Sequence, residues 1–226
     1  MPAAAGNREG WALELMETLR TARVVPVLTI ERAADAVPLA RALVAGGLTV
    51  LEVTLRTESA LSAIRAIGAE VGEATVGAGT VTRPDEFAAV RAAGARFAVS
   101  PGFTTELAEA ARDTPEIAWL PGIATPSELM AASAAGHTCL KFFPAETSGG
   151  IAALRMLAGP FPQARFCPTG GIDAANAADY LALPNVVAVG GSWPAPSAVI
   201  RAGDWDRITE LAHAARKLGK LGSDPD

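Results

Sequence analysis

A single lysine stands inside the apolar run Leu140-Lys141-Phe142-Phe143-Pro144-Ala145-Glu146, the pattern of a buried strand that ends at a cleft. Burial disfavours an ammonium, so this lysine is either paired with a carboxylate or held partly neutral and nucleophilic. A plainer alternative is a side chain that carries its charge out to the strand end. In Val50-Leu51-Glu52-Val53-Thr54-Leu55-Arg56, the residues Glu52, Thr54 and Arg56 share one parity, so all three point inward if Val50 does. Taken singly, each has an ordinary account as a core ion pair, a capping hydroxyl or a surface arginine. Two glycine pairs, Thr169-Gly170-Gly171 and Gly190-Gly191-Ser192, supply bare backbone N–H groups of the kind that cradle phosphate near a helix N-terminus.

These residues need elements to position them. Val24–Leu28, Val50–Thr54, Thr75–Gly79, Phe97–Ser100, Ala118–Leu120, Cys139–Phe142, Arg165–Cys167 and Val186–Val189 read as short buried strands. Helical stretches separate them. Thr82-Arg83-Pro84-Asp85 and Thr125-Pro126-Ser127-Glu128 open two of the helices with capping sequences, and Gly47, Gly94 and Gly136 fall just past helix ends. An extra helix, Trp11–Ala22, precedes the first strand. Eight strand-helix units without a hairpin signal predict a single (β/α)8 barrel, the TIM barrel, with an added N-terminal helix. Residues 1–10 are expected to be a frayed leader and 11–226 the one domain. A doubly wound open sheet is the alternative, but no Gly-x-Gly-x-x-Gly turn follows the first strand.

In such a barrel, chemistry lies at the C-terminal strand ends. Glu52 and Arg56, Thr80, Pro101, Lys141, Thr169 and Ser192 all fall there, from separate units.

The 226-residue chain is half apolar, with 19 basic and 24 acidic residues and a net charge of −5. No run of like charges offers a nucleic-acid surface. No apolar stretch approaches the ~20 residues of a membrane helix, and the first ten residues lack a signal-like segment, so a cytoplasmic location is expected. Cys139 and Cys167 are too far apart for a zinc pair, and His137 and His213 are the only histidines. The cysteines are read as core thiols and no metal is expected.

Five segments in order, Glu52-Val53-Thr54-Leu55-Arg56-Thr57, Gly77-Ala78-Gly79-Thr80-Val81, Leu140 to Glu146, Pro168-Thr169-Gly170-Gly171-Ile172 and Gly190-Gly191-Ser192-Trp193, together resemble the 2-keto-3-deoxy-6-phosphogluconate (KDPG) aldolases. The likeness runs from about Val24 to Leu218. It implies a homotrimer of barrels that splits a phosphorylated keto acid into pyruvate and glyceraldehyde 3-phosphate through a lysine Schiff base, with no cofactor or metal. Lys141 would be the Schiff-base lysine and Glu52 the general acid/base. Arg56 and Thr80 would hold the pyruvyl carboxylate, with Pro101 also lining the substrate site. Phe143 would wall the pocket and Thr169 contact substrate, while Gly170, Gly171, Gly190, Gly191 and Ser192 would take the phosphate. Phe142, Phe143 and Arg56 are expected to ease the loss of the lysine proton, and Glu52 to oppose it while ionised. 4-Hydroxy-2-oxoglutarate is a second substrate to consider. The alternatives are a sugar-phosphate isomerase or epimerase, using Glu52 as base, and a non-catalytic phosphosugar binder.

Overall fold

A computed structural model describes residues 5–220. Helix α1 (Ala5–Ala22) leads into nine short parallel strands: β1 (Val24–Leu28), β2 (Val50–Thr54), β3 (Thr75–Gly79), β4 (Phe97–Val99), β5 (Ala118–Leu120), β6 (Gly122–Ile123), β7 (Cys139–Phe142), β8 (Arg165–Pro168) and β9 (Val189–Gly191). Between and after them run α2 (Ala36–Ala45), α3 (Ala60–Glu70), α4 (Asp85–Ala92), α5 (Thr105–Asp113), α6 (Pro126–Ala134), α7 (Gly150–Ala158), α8 (Ala177–Leu181), α9 (Ser197–Ala202) and α10 (Trp205–Lys220). Residues 1–4 of the expected leader lie outside the described residues, and Ala5 already begins α1.

The expected closed eight-stranded TIM barrel is not what forms. The strands make a six-stranded sheet in the order β5-β4-β3-β2-β1-β9 and a separate three-stranded sheet β6-β7-β8, a curled α/β arrangement with two breaks in its ladder. One break is at Pro121, between β5 and β6, where proline has no N–H to donate. The other lies between β8 and β9, where only the isolated bridges Phe166↔Val186 and Thr169↔Gly190 pair the chains. There β8 ends in Pro168 and β9 has only three residues. The last strand also begins later than the expected Val186–Val189, and α9 was not anticipated.

Local chemistry accounts for the starts of α4, α5 and α6. Thr125 makes a full capping box with Glu128, with Pro126 in the first turn. Thr104 accepts from the Leu107 N–H to open α5. Ahead of α4, the Glu86 carboxylate accepts the N–H groups of Thr82 and Arg83 at 2.7 and 3.0 Å.

Two apolar layers follow from strand parity. The outer one lies between strands and helices and includes Leu51, Val53, Phe87, Leu140, Phe142 and Phe166. The inner one holds Val25, Val50, Phe97, Val99, Leu120 and Cys167 from both sheets, packed with Leu15 and Leu19 of α1. Helix α1 thus seals the inner core, and the opposite ends of the strands are left for polar side chains. Among the described residues, no helix is long and apolar enough to cross a membrane.

Candidate active site

Parity puts Glu52 on the inner side of β2, two residues after the inner-core Val50. Lys141 does the same on β7, two residues after Cys139. Their side chains meet: Lys141 Nζ donates to Glu52 Oε1 at 3.1 Å, and both residues are buried, at 6% and 4% exposure. A buried charge without such a partner would cost several kcal/mol.

The carboxylate has space because β3 has none of the side chains that would fill it. Glu52 faces Gly77 in the ladder, and its side chain leans toward the next inward position, Gly79. A Cβ on Gly79 would fall 2.2 Å from Glu52 Oε1. Gly122, the ladder partner of Lys141, plays the same part for Pro101, whose carbonyl oxygen would lie 2.3 Å from a Cβ there. Pro101 is thereby held against the strand that neighbours Lys141.

Directly after Gly79, Thr80 adopts φ 61°. That left-handed conformation is rare for a β-branched residue. It places Thr80 Oγ1 where Arg56 Nε donates to it at 3.2 Å. The exposed Arg56 guanidinium therefore stands at the rim, above the buried pair. Thr54, of the same parity, instead donates to the Leu28 carbonyl at 2.9 Å and is fully buried, fastening β2 to β1.

Phe143 lies with its ring centroid 5.3 Å from Lys141 Nζ. The ring face is turned to the lysine side chain as a cation–π partner. Phe142 is not in the site at all: it points into the outer layer, 6.4 Å from the Phe166 ring. Behind the lysine, burial pushes the thiols of Cys139 and Cys167 up to about 12, so both are protonated core thiols at neutral pH.

The glycine pairs are brought to one edge of this pocket. Gly170 and Gly171 take φ of 98° and 81°, which only glycine adopts readily. A Cβ on Gly170 would lie 3.3 Å from the Phe143 ring, which joins the turn to the lysine side of the pocket. Thr169 bridges to Gly190, where a Cβ would strike Thr169 Oγ1 at 2.4 Å. Among the described residues, no acceptor pairs with the N–H of Gly171 or Ser192. The helices that follow the two glycine pairs begin at Ala177 (α8) and Ser197 (α9). Gly191 is covered on one side by the Trp193 ring, 2.0 Å from where its Cβ would stand.

Glu146, which has no role in the sequence analysis, touches the cradle, and Tyr180 touches Glu146 in turn. The Glu146 side chain fills the place of a Cβ on Gly171, and the Tyr180 hydroxyl donates to Glu146 Oε1. Strand parity gives no hint of either. An open groove of about 1300 Å³ lies at the other end of the strands, lined by Arg20, Arg23, Arg165 and Glu73. It has no side chain in common with the lysine site.

Taken together, the buried amine and carboxylate, the guanidinium at the rim and the glycine turn offer a nucleophile, a proton acceptor and two anion sites in one pocket. The family model described as KDPG and KHG aldolase matches residues 15–211. The chain is 54% identical over 213 residues to the KHG/KDPG aldolase of Escherichia coli, covering 94% of this chain and all of that one. It is 54% identical over 207 residues to the 2-dehydro-3-deoxy-phosphogluconate aldolase of Pseudoalteromonas atlantica, covering 92% and 96%. Among solved structures it is similar to the KDPG aldolase of Legionella pneumophila, captured with pyruvate as a covalent carbinolamine. The TM-score is 0.86 at 48% identity, covering 88% of this chain and 96% of that one.

Proposed function

The chain belongs to the KDPG and KHG aldolase family, and from that premise we propose how its own residues carry the reaction. It is a lyase that cleaves 2-dehydro-3-deoxy-6-phosphogluconate to pyruvate and glyceraldehyde 3-phosphate by way of a Schiff base. The observation that carries the residue assignment is the buried Lys141–Glu52 contact at 3.1 Å.

Lysine attacks only when neutral, and Glu52 is the nearest acceptor for its proton. Lys141 Nζ then adds to the keto carbon. The carbonyl oxygen takes up a proton to give a carbinolamine, and loss of water leaves an iminium ion. Glu52, again a carboxylate, removes the proton of the hydroxyl two carbons further on. The O–H pair becomes the aldehyde carbonyl, the carbon–carbon bond breaks, and its electrons pass into the C=N⁺ bond to form an enamine. After the aldehyde leaves, Glu52 returns a proton to the enamine carbon, and water hydrolyses the imine to pyruvate and free Lys141.

Arg56 and Thr80 hold the substrate carboxylate at the rim and thereby fix the keto carbon over the amine. Pro101, Phe143 and Thr169 line the pocket. The Gly170–Gly171 turn with Gly190, Gly191 and Ser192 takes the phosphate. Cytoplasmic action and a homotrimer belong to the same proposal, and the solution mass decides the latter. Lys141→Arg keeps a cation and loses the nucleophile, so cleavage followed as pyruvate release should fall on the order of 10³-fold or more. An active Lys141→Arg enzyme overturns the assignment.

A further inference from the structure

We propose that Glu146 and Tyr180 are positioning residues for the phosphate end of the substrate, a step that rests on the aldolase reading above. Tyr180 is the only tyrosine of the chain and is fully buried, on the short helix α8 that follows the glycine turn. Its hydroxyl donates to Glu146 Oε1. Burial and then that carboxylate raise the phenol well above its ordinary range, so it remains a donor at any working pH. Glu146 is exposed and belongs to the loop that leaves the lysine strand.

The loop is stitched to the turn residue by residue. The Ala145 N–H donates to the Thr169 carbonyl at 2.8 Å, and the Glu146 N–H to the Gly170 carbonyl at 3.1 Å. Asn176 Nδ2 donates to the Gly171 carbonyl at 2.9 Å. Three successive carbonyls are therefore tied down. In a trans peptide the N–H points opposite to the carbonyl, so the N–H groups of Gly170, Gly171 and Ile172 are turned away from these partners. Oriented amides of this kind form an anion-binding concavity. Glu146 Cγ and Cβ lie 2.5 and 2.7 Å from where a Gly171 Cβ would be, and so back the turn where it has no side chain. The Tyr180 hydroxyl keeps the Glu146 carboxylate on the α8 side of the loop, away from an incoming phosphate that it would repel. Among the described residues, no hydrogen bond or ion pair links Lys141, Glu52 or Arg56 to this pair, so the device acts on the phosphate alone.

The test compares wild type with Tyr180→Phe, Glu146→Ala and Glu146→Gln on two readouts. One is steady-state cleavage of the phosphorylated keto acid; the other is exchange of pyruvate methyl protons with deuterated water, for which no phosphate is needed. For Tyr180→Phe and Glu146→Ala, KM for the phosphorylated substrate is expected to rise about tenfold, with kcat and the pyruvate exchange rate within about twofold. Glu146→Gln, which keeps the filling and a hydrogen bond, should recover most of the loss. Equal losses in both readouts, or an unchanged KM in Glu146→Ala, overturn the proposal. If Tyr180→Phe does not fold, Glu146→Ala decides alone, because that side chain is exposed. Absence of pyruvate exchange in the wild type would instead bring down the aldolase residue assignment.

Discussion

Glu52 occupies the space that a side chain on Gly79 would need. A Cβ at position 79 would stand 2.2 Å from Glu52 Oε1, and this carboxylate oxygen is also the acceptor for Lys141 Nζ. The glycine of one strand therefore sets where the acid/base of the next can sit.

Gly79→Ala should push the carboxylate off the lysine while leaving the strand intact, because Gly79 has no positive φ to protect. Misplacement by about 1 Å is enough for roughly a 10²-fold loss of kcat, at a packing cost of about 1–3 kcal/mol. Single-turnover cleavage and a denaturant melt on the same sample check both halves. A variant with wild-type kcat would show that Glu52 needs no recess.

Glu52→Gln keeps shape but cannot accept a proton. If Glu52 is the shuttle, pyruvate should still bind at Arg56 and Thr80 while methyl-proton exchange slows by about 10²-fold or more. If it only neutralises Lys141, the variant should lose about 3–5 kcal/mol of stability and exchange at the wild-type rate per folded molecule. Melting curves and exchange rates on one preparation separate the two.

Thr80→Gly relieves a left-handed β-branched residue and removes the hydroxyl that meets Arg56. Strain relief offsets the added freedom of glycine in the unfolded chain, so stability should stay within about 1 kcal/mol of wild type. Pyruvate binding, measured by calorimetry, should weaken severalfold. Unchanged affinity would remove Thr80 from the carboxylate site.

His137 packs with its ring 5.0 Å from Trp119 and 6.2 Å from Phe103. Burial, with Arg112 nearby, holds it below the usual histidine value. The unfolded chain therefore takes up the proton first as pH falls. The contribution to stability is full above about 6.5 and is lost as pH drops from there toward the folded-state value. His137→Gln should flatten the melting temperature over that interval; an unaltered slope would mean that other groups cause it.

Much of the site was legible because charged residues inside apolar strands are rare and strand parity is simple. Lys141 and Glu52 stood out on that ground, and both glycine pairs were visible as pairs. Parity also shows why Phe142 could not share the pocket with its neighbour Lys141. What was not legible depends on register between strands. The recess at Gly79 requires knowing that β3 lies beside β2 with Thr54 opposite Gly79. The breaks in the ladder were hidden because three-residue strands read the same whether or not they pair on both sides. Counting eight units led to a closed barrel, but Pro121 and the sparse β8–β9 pairing decided otherwise. Tyr180 and Glu146, 34 residues apart, carry no local signal of their contact.

Reduction with borohydride in the presence of pyruvate, followed by peptide mapping, tests the central assignment most directly. An imine is the one reducible adduct in this mechanism, so the enzyme should lose activity and carry a reduced pyruvyl group on Lys141 alone. An isomerase or a non-catalytic binder of phosphosugars would gain no adduct. Modification of a different lysine, or activity that survives unmodified, would contradict the role given to Lys141.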